Sequence, residues 1–308
     1  MPMRLFCILR SSILVFLITA CTSQATATSI PFQPYPSPIN TSQSAITQTI
    51  LETEAAAQVK SCENWQSLPV IPVVSKTARE IYQRGQASGN NPRAFSKIGD
   101  GEISTDWFLT AFDLGQSYYD LGSYQNLLPL IEYFNGSFAR IGLAARRGFN
   151  TQRILDPAVS DPKLCGSGES PLTCELRLHQ PAFAFLSLGT NQVWQPEEFE
   201  NGMRQILAIL LSKNVLPILS TKGDNLEGDY RINRTIACLA QEYDVPLWNF
   251  WSAIQPLPNH GLQPDLEHLT YGITDFGDAH AMQSAWTVRN LTALQALDVV
   301  WRGVTTQP

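Results

Sequence analysis

The segment Pro181-Ala-Phe-Ala-Phe-Leu-Ser-Leu188 decides the fold class of this chain, and Gly189-Thr190-Asn191 follows it directly. An almost unbroken apolar run of this length is typical of a strand that is buried on both faces of a parallel sheet. The turn residues behind it mark the carboxyl end of that strand. The sequence therefore predicts an α/β domain, in which ligands bind beyond the carboxyl ends of the strands.

Apolar runs on either side of this segment recur at the spacing expected for further strands of the same sheet. They predict four further strands, at 95–98, 138–144, 215–219 and 245–250. Apolar residues at helical spacing predict helices at 197–213, 230–243 and 279–304. Strands that alternate with helices are typical of a parallel sheet with helices on both faces. We expect a three-layer α/β/α, flavodoxin-like sandwich of about five parallel strands within residues 61–305.

The amino terminus has the pattern of an export signal. Two arginines precede a short apolar run at 13–18, which is too short to cross a bilayer, so residues 1–20 are predicted to be a signal peptide. Leu17-Ile18-Thr19-Ala20-Cys21 resembles the lipobox of bacterial lipoproteins, which implies acylation of Cys21. The alternative is an ordinary secretory signal with a cysteine near its cleavage site. We expect a protein that is secreted across the cytoplasmic membrane and lipid-anchored on the cell surface or the outer face of a membrane, with a Ser/Thr/Pro-rich tether at 21–60.

The remaining composition narrows the class of partner. The formal charge is −6 and no basic cluster occurs, which argues against a nucleic-acid partner. No dinucleotide-binding glycine pattern and no metal-ligand spacing occurs, so neither an organic cofactor nor a metal is expected. Cys165 and Cys174 bracket a turn-rich segment and are expected to form a disulfide. A disulfide between Cys62 and Cys238 is supported only by elimination, because these two cysteines remain once the amino-terminal cysteines and this pair are set aside.

Four short patches lie at predicted strand ends or in the last long loop. They are Gly99-Asp100-Gly101, Gly148, Gly189-Thr190-Asn191 and Asp265-Leu-Glu-His268. Each pattern alone is weak, because Gly-Asp-Gly is usually a tight turn and an Asp three residues before a His is commonly a local cap. Their order along the chain and their shared edge of the sheet favour a common site.

Together, these patches resemble the conserved blocks of the SGNH, or GDSL, hydrolase superfamily of esterases, lipases and acyl-sugar deacetylases. The resemblance implies that His268 acts as general base and that Asp265 orients its imidazole. It also implies an oxyanion hole formed by Asn191, by Gly148 and by the backbone N–H at position 101. The expected ligand is a small ester or an acylated glycan.

The sequence departs from this family at the nucleophile, because Gly101 stands where the family has serine. No covalent acyl-enzyme can form on a glycine, so covalent serine catalysis is not expected there. Three accounts remain open. The domain is a catalytically inactive glycan- or lipid-binding module; or His268 and Asp265 activate a water in the space of the missing side chain; or Ser104 is recruited as the nucleophile. Gln192 is a second departure, at a position where many relatives carry aspartate.

Overall fold

The computed structural model describes residues 62–306. All of these residues belong to one compact unit. The predicted signal peptide, Cys21 and the predicted tether lie outside the described residues. Among the described residues, no helix combines the length and the apolar character that a membrane span requires.

A parallel sheet of four strands forms the centre of the domain, in the order β1-β2-β3-β4. Gly99 pairs with Ser187, Leu186 with Leu219, and Ser220 with Trp248. The strand ends therefore align along one edge, which confirms the predicted parallel α/β sheet. The strands are β1 (Asn91–Gly99), β2 (Pro181–Ser187), β3 (Leu216–Ser220) and β4 (Leu247–Trp248).

The predicted strand at 138–144 is wrong. This segment makes only an isolated parallel bridge between Ala145 and Gly99, on the side of β1 away from β2. Side-chain carboxylates take the backbone donors that a ladder would need: Ala139 N–H donates to Asp113 at 2.7 Å and Leu143 N–H to Glu175 at 2.7 Å. Counting the bridge as the remnant of a strand, the order along the sheet is the 2-1-3-4-5 order of flavodoxin-like folds.

The last strand is also shorter than predicted, because the chain leaves the sheet at Asn249. The backbone N–H of Asn249 donates to Val70, and its side-chain amide donates to the carbonyls of Trp65 and Leu68. The amino-terminal segment thus takes over the hydrogen bonds that would have extended β4.

Helices cover both faces of the sheet. Helices α1 and α10 pack together on one face, and α5 to α8 form the layer on the other. Apolar residues at helical spacing place α7 and α8 within a residue of their predicted bounds, whereas α10 begins only at Ala285, after a 3-10 turn at Ala281–Gln283. The helices are α1 (Lys76–Ala87), α2 (Gly101–Ser104), α3 (Ala111–Leu114), α4 (Leu128–Tyr133), α5 (Thr151–Leu155), α6 (Pro171–His179), α7 (Pro196–Ser212), α8 (Arg231–Glu242), α9 (Phe250–Ile254) and α10 (Ala285–Thr305).

Aromatic rings form the core on one side of the sheet. Phe95 contacts Phe138 and Phe185 edge to face, with ring centroids 5.2 and 5.7 Å apart. Phe185 also meets Phe108 and Trp248, at 5.9 and 5.8 Å. Such edge-to-face pairs add to the apolar burial of the rings. They tie the strands to the loop that follows α2, which carries part of the candidate site.

Two disulfides close loops of very different length. One joins Cys165 to Cys174 across nine residues, the pairing expected from the turn-rich segment between them. The other joins Cys62 to Cys238 across 176 residues and fastens the start of the described chain to α8. Cys165, Glu169 and Cys174 lie within ligand distance of one another, but both sulfurs are bonded to each other and offer no thiolate to a metal.

Candidate active site

A cavity of about 720 Å³ opens at the carboxyl ends of β1 and β2. It brings together Gly101, Gly148, Asn191 and His268, which come from four separate segments of the chain. Asp265 lies behind His268 and does not line the cavity itself. The other residues of the lining are Asp100, Glu102, Ser104, Thr105, Trp107, Arg147, Thr190, Glu267, Leu269, Tyr271 and Trp286.

The turn after β1 sets the floor of the cavity. Gly99 has a φ of +153°, and a Cβ at this position would overlap the carbonyl oxygen of Ser187, so the tight passage from β1 into α2 requires glycine. Asp100 is the N-cap of α2, and its Oδ1 accepts from the N–H of Glu102 at 3.2 Å. Gly101 is therefore the first residue of a short helix, with its N–H at the cavity end.

His268 and Asp265 form a hydrogen-bonded pair in the last long loop. His268 Nδ1 lies 2.8 Å from Asp265 Oδ2, while Asp265 Oδ1 accepts from the backbone N–H groups of His268 and Glu267, each at 3.0 Å. These donors lower the pKa of Asp265 to about 2, and the backbone N–H of His268 makes the largest contribution. The carboxylate is thus ionised at neutral pH and accepts a hydrogen bond from Nδ1 of His268. This keeps the imidazole proton on Nδ1 and leaves Nε2 as the acceptor.

Asn191 and Gly148 form the opposite wall. The Asn191 amide donates one hydrogen to the carbonyl of Phe149 at 2.9 Å, which fixes its orientation and leaves the second amide hydrogen for a ligand. Gly148 adopts a φ of +79° in the turn after the Ala145 bridge. The two residues are therefore tied to one another through the loop at 148–149. This wall contains the amide donors that an oxyanion hole needs.

Gln192 has a structural role in this geometry. Its side chain is buried, and its Oε1 accepts from the backbone N–H and the hydroxyl of Thr151, at 2.9 and 3.0 Å. Its Nε2 donates to Gln152 at 2.9 Å. Gln192 thus fastens the Asn191 turn to the start of α5.

Two carboxyl groups and one buried cation set the electrostatics of the floor. Burial raises the pKa of Asp100 to about 7, and repulsion from Glu102 adds to this. Burial likewise raises the pKa of Glu102. Arg289, fully buried, lies with its Nη1 3.6 Å from Glu102 Oε2. Sequence reasoning missed both Glu102 and Arg289; a lone charged residue in the first half of the last helix was the available signal.

Two exposed aromatic rings stand at the mouth of the cavity. Trp107 and Tyr271 are 46% and 59% exposed, and their ring centroids lie 4.9 Å apart. Asn290 holds the Trp107 loop, because its amide donates to Trp107 O and accepts from Leu109 N–H, each at 2.9 Å. Leu109 is kept there at a φ of +65°, a strained conformation for leucine. Large apolar rings held in the open at a cavity mouth are suited to contact a ligand.

Ser104, Lys222 and Asp224 differ in their relation to the cavity. Ser104 lines the cavity, and its hydroxyl donates to the Gly101 carbonyl at 3.5 Å. Lys222 and Asp224 form a buried ion pair beneath the cavity, and Asp224 accepts from the hydroxyl of Thr190 at 2.6 Å. Their contribution is therefore to support the Thr190 turn.

No known family profile matches the sequence, and no curated protein does. Several solved structures are similar to it at low identity. One is a GDSL-like lipase from Bacteroides thetaiotaomicron, with 13% identity over 72% of this chain and 97% of that one and a TM-score of 0.42. Another is a catalytic mutant of an acetylxylan esterase from Geobacillus stearothermophilus, with 14% identity over 69% and 96% of the two chains and a TM-score of 0.43. At this level of similarity, the chemistry of the cavity rests on its own residues.

Proposed function

We propose that this domain is an SGNH-hydrolase-like ester hydrolase in which His268 activates a water for direct attack on the substrate. The observation that carries the proposal is the 2.8 Å hydrogen bond from His268 Nδ1 to Asp265, at a cavity whose other walls are Gly101, Gly148 and Asn191. An imidazole that is hydrogen-bonded to an ionised carboxylate accepts a proton at Nε2, and the carboxylate stabilises the imidazolium that forms.

The missing side chain at Gly101 supplies the space for this water. In the expected step, the water oxygen attacks the acyl carbon, Nε2 of His268 takes one of its protons, and the ester carbonyl becomes an oxyanion. The Asn191 amide and the backbone N–H groups of Gly101 and Gly148 would donate to that oxyanion. Cleavage of the bond to the leaving oxygen, which takes up a proton as it departs, then releases an acid and an alcohol, and His268 gives up the proton that it took from water.

A second candidate function is binding without turnover. The exposed Trp107–Tyr271 pair favours it, because such rings at a cavity mouth provide contact area for a sugar ring or an acyl chain whether or not chemistry follows. In both cases, the proposed ligand is a small ester or an acylated carbohydrate.

Hydrolysis of p-nitrophenyl acetate by the wild type and by His268→Ala tests the proposal. We expect His268→Ala to lower kcat/KM by about 100-fold or more, as removal of a general base does. His260→Ala is the control, since His260 is exposed and bonds only locally, to the Gln255 carbonyl. Turnover that is equal in wild type and His268→Ala would contradict the proposal. Saturable binding of acetylated oligosaccharides without any turnover would favour the binding module.

We propose, in addition, that the mature protein is held on a membrane surface through an acylated Cys21. The support is the lipobox-like sequence that ends at Cys21. Labelling with radioactive palmitate in a bacterial host tests this. The wild type should incorporate label and fractionate with membranes, and Cys21→Ser should do neither; equal labelling of both would contradict the anchor.

A further inference from the structure

Glu102 occupies an unusual place in the cavity. It is the second residue of α2, directly after Gly101, and its side chain lines the same cavity as His268. The side chain is only 18% exposed. A carboxyl group therefore lies next to the position of the missing nucleophile, largely shielded from water.

The cation that faces Glu102 is itself poorly satisfied. Arg289 Nη2 donates to the Ser187 hydroxyl at 2.9 Å, but its Nε and Nη1 have no hydrogen-bond partner among the described residues. Aromatic rings enclose the guanidinium, with the Phe250 and Trp248 centroids 4.5 and 5.0 Å from its central carbon. Nη1 lies 3.6 Å from Glu102, beyond hydrogen-bond distance. The guanidinium thus favours the ionised form of Glu102 through its charge, but no hydrogen bond holds the carboxylate in place.

Burial and the surrounding charges act in opposite directions on the protonation of the Glu102 carboxyl. Burial is the largest effect and raises the pKa of its carboxyl; Arg289, Lys222 and His268 oppose this, and the negative charge of Asp224 adds to it. Asp100, the neighbouring carboxyl, also has a raised pKa. Asp265, by contrast, is exposed and holds its charge. Carboxyl groups in such different surroundings are suited to different roles, one neutral and one ionised.

We propose that Glu102 is the general acid of this site and protonates the departing alcohol, an assignment that rests on the proposed hydrolysis. Water attacks the acyl carbon and gives a proton to His268. As the tetrahedral intermediate collapses, the bond from carbon to the leaving oxygen breaks, and that oxygen takes the proton of Glu102. The imidazolium of His268 then returns its proton to the Glu102 carboxylate through solvent. The net reaction is ester plus water to acid plus alcohol.

The dependence on the leaving group tests this role. A p-nitrophenolate departs without a proton, whereas the alkoxide of an alkyl ester needs one. We therefore expect Glu102→Gln to lower kcat/KM for ethyl acetate about 100-fold or more, and for p-nitrophenyl acetate less than about 10-fold. A merely structural role would lower both rates by the same factor. Glu267→Gln is the matched control, because it removes a carboxylate from the same cavity, and it should show no such split.

The pH profile provides an independent readout. An acid must be protonated to act, so ethyl acetate hydrolysis should fall at alkaline pH in the wild type, and Glu102→Gln should lack this alkaline limb. Equal losses for both esters, or an unchanged alkaline limb, would overturn the assignment of Glu102 and leave the role of His268 standing. Wild-type hydrolysis that is absent or independent of His268 would overturn the proposed function and this inference with it.

Discussion

Gly101 and Arg147 adjoin each other at the centre of the cavity: a Cβ built on Gly101 would lie 3.7 Å from the Arg147 Cγ. This is ordinary van der Waals contact, and apart from the two adjoining residues and the backbone of α2, no other heavy atom of the described chain would be within 4 Å of that Cβ. The backbone of Gly101 is helical, so no left-handed conformation demands glycine. Position 101 therefore differs from Gly99, where a side chain does not fit. Position 101, by contrast, has room for a serine side chain.

Gly101→Ser should turn the site into a covalent one. We expect the variant to hydrolyse p-nitrophenyl acetate at least about 10-fold faster than the wild type and to be labelled by a fluorophosphonate, while the wild type resists labelling. Intact-protein mass spectrometry and steady-state kinetics measure both effects.

Gly101→Ala is the control for that variant, because it adds the same Cβ without a hydroxyl, and it should gain neither property. Stoichiometric labelling of the wild type at Ser104 would instead show that Ser104 is the nucleophile. The 3.5 Å bond from the Ser104 hydroxyl to the Gly101 carbonyl argues against this, since it directs the hydroxyl back along α2.

Asn191→Ala should remove one oxyanion donor. In the Gly101→Ser background we expect kcat to fall by about 10² to 10³, with KM nearly constant, because the donor acts on charge that develops only in the transition state. Parallel kinetics on the single and double variants measure this. A rise in KM at constant kcat would mean that Asn191 binds the ground state and that the oxyanion is held elsewhere.

The order of the four patches was enough to predict that they share the carboxyl edge of the sheet. It was not enough to predict the segment at 138–144, because its largely apolar residues look like a strand while Asp113 and Glu175, distant in sequence, take its backbone donors. Glu102 and Arg289 were missed for a similar reason. Their significance depends on burial and on a 3.6 Å contact between α2 and α10, and neither leaves a local pattern.

The two disulfides should differ in their contribution to stability. Cross-links that close longer loops remove more entropy from the unfolded chain: about 3 kcal/mol for the nine-residue separation of Cys165 and Cys174, and about 5 kcal/mol for the 176 residues between Cys62 and Cys238. Urea unfolding of the two double Cys→Ala variants measures the difference. Equal losses in both variants would contradict the loop-entropy argument.

Lys97 should make the protein more stable as the pH rises above neutrality. It is 1% exposed, donates to the Phe108 carbonyl at 3.0 Å, and has a pKa that burial lowers to about 7. Between that pH and about 10.4, the ordinary pKa of lysine, the unfolded chain binds more protons than the folded one. The free energy of unfolding should therefore rise with pH in this window, by up to about 1.4 kcal/mol per pH unit from this group.

Lys97→Met isolates that effect, since it keeps an apolar side chain of similar length. The difference between wild type and variant in urea unfolding, measured from pH 7 to pH 10, should shift in favour of the wild type as pH rises. A difference that is constant over this range would mean that Lys97 stays charged in the folded state.

Glu175 connects the stability of the fold to the geometry of the site. Its side chain is fully buried and accepts from Ser96, Arg140 and the backbone N–H of Leu143, at 2.5, 2.7 and 2.7 Å. It thereby fastens the segment that leads to Gly148 onto β1. Glu175→Ala would leave these donors without their acceptor, and we expect a loss of about 3 to 5 kcal/mol of unfolding free energy. Glu175→Gln retains the shape and an acceptor oxygen and should lose less.

Glu175→Ala should also disturb the cavity, whereas a core mutation with the same loss of unfolding free energy should not. In the Gly101→Ser background, Glu175→Ala should lower kcat and speed hydrogen exchange at residues 139–148. Leu210→Ala, on α7, is the matched variant: it removes a fully buried side chain at a cost of about 2 to 5 kcal/mol away from this segment. If both variants lowered kcat equally, the effect would be one of global stability. A selective loss for Glu175→Ala would show that the position of Gly148 depends on this buried carboxylate.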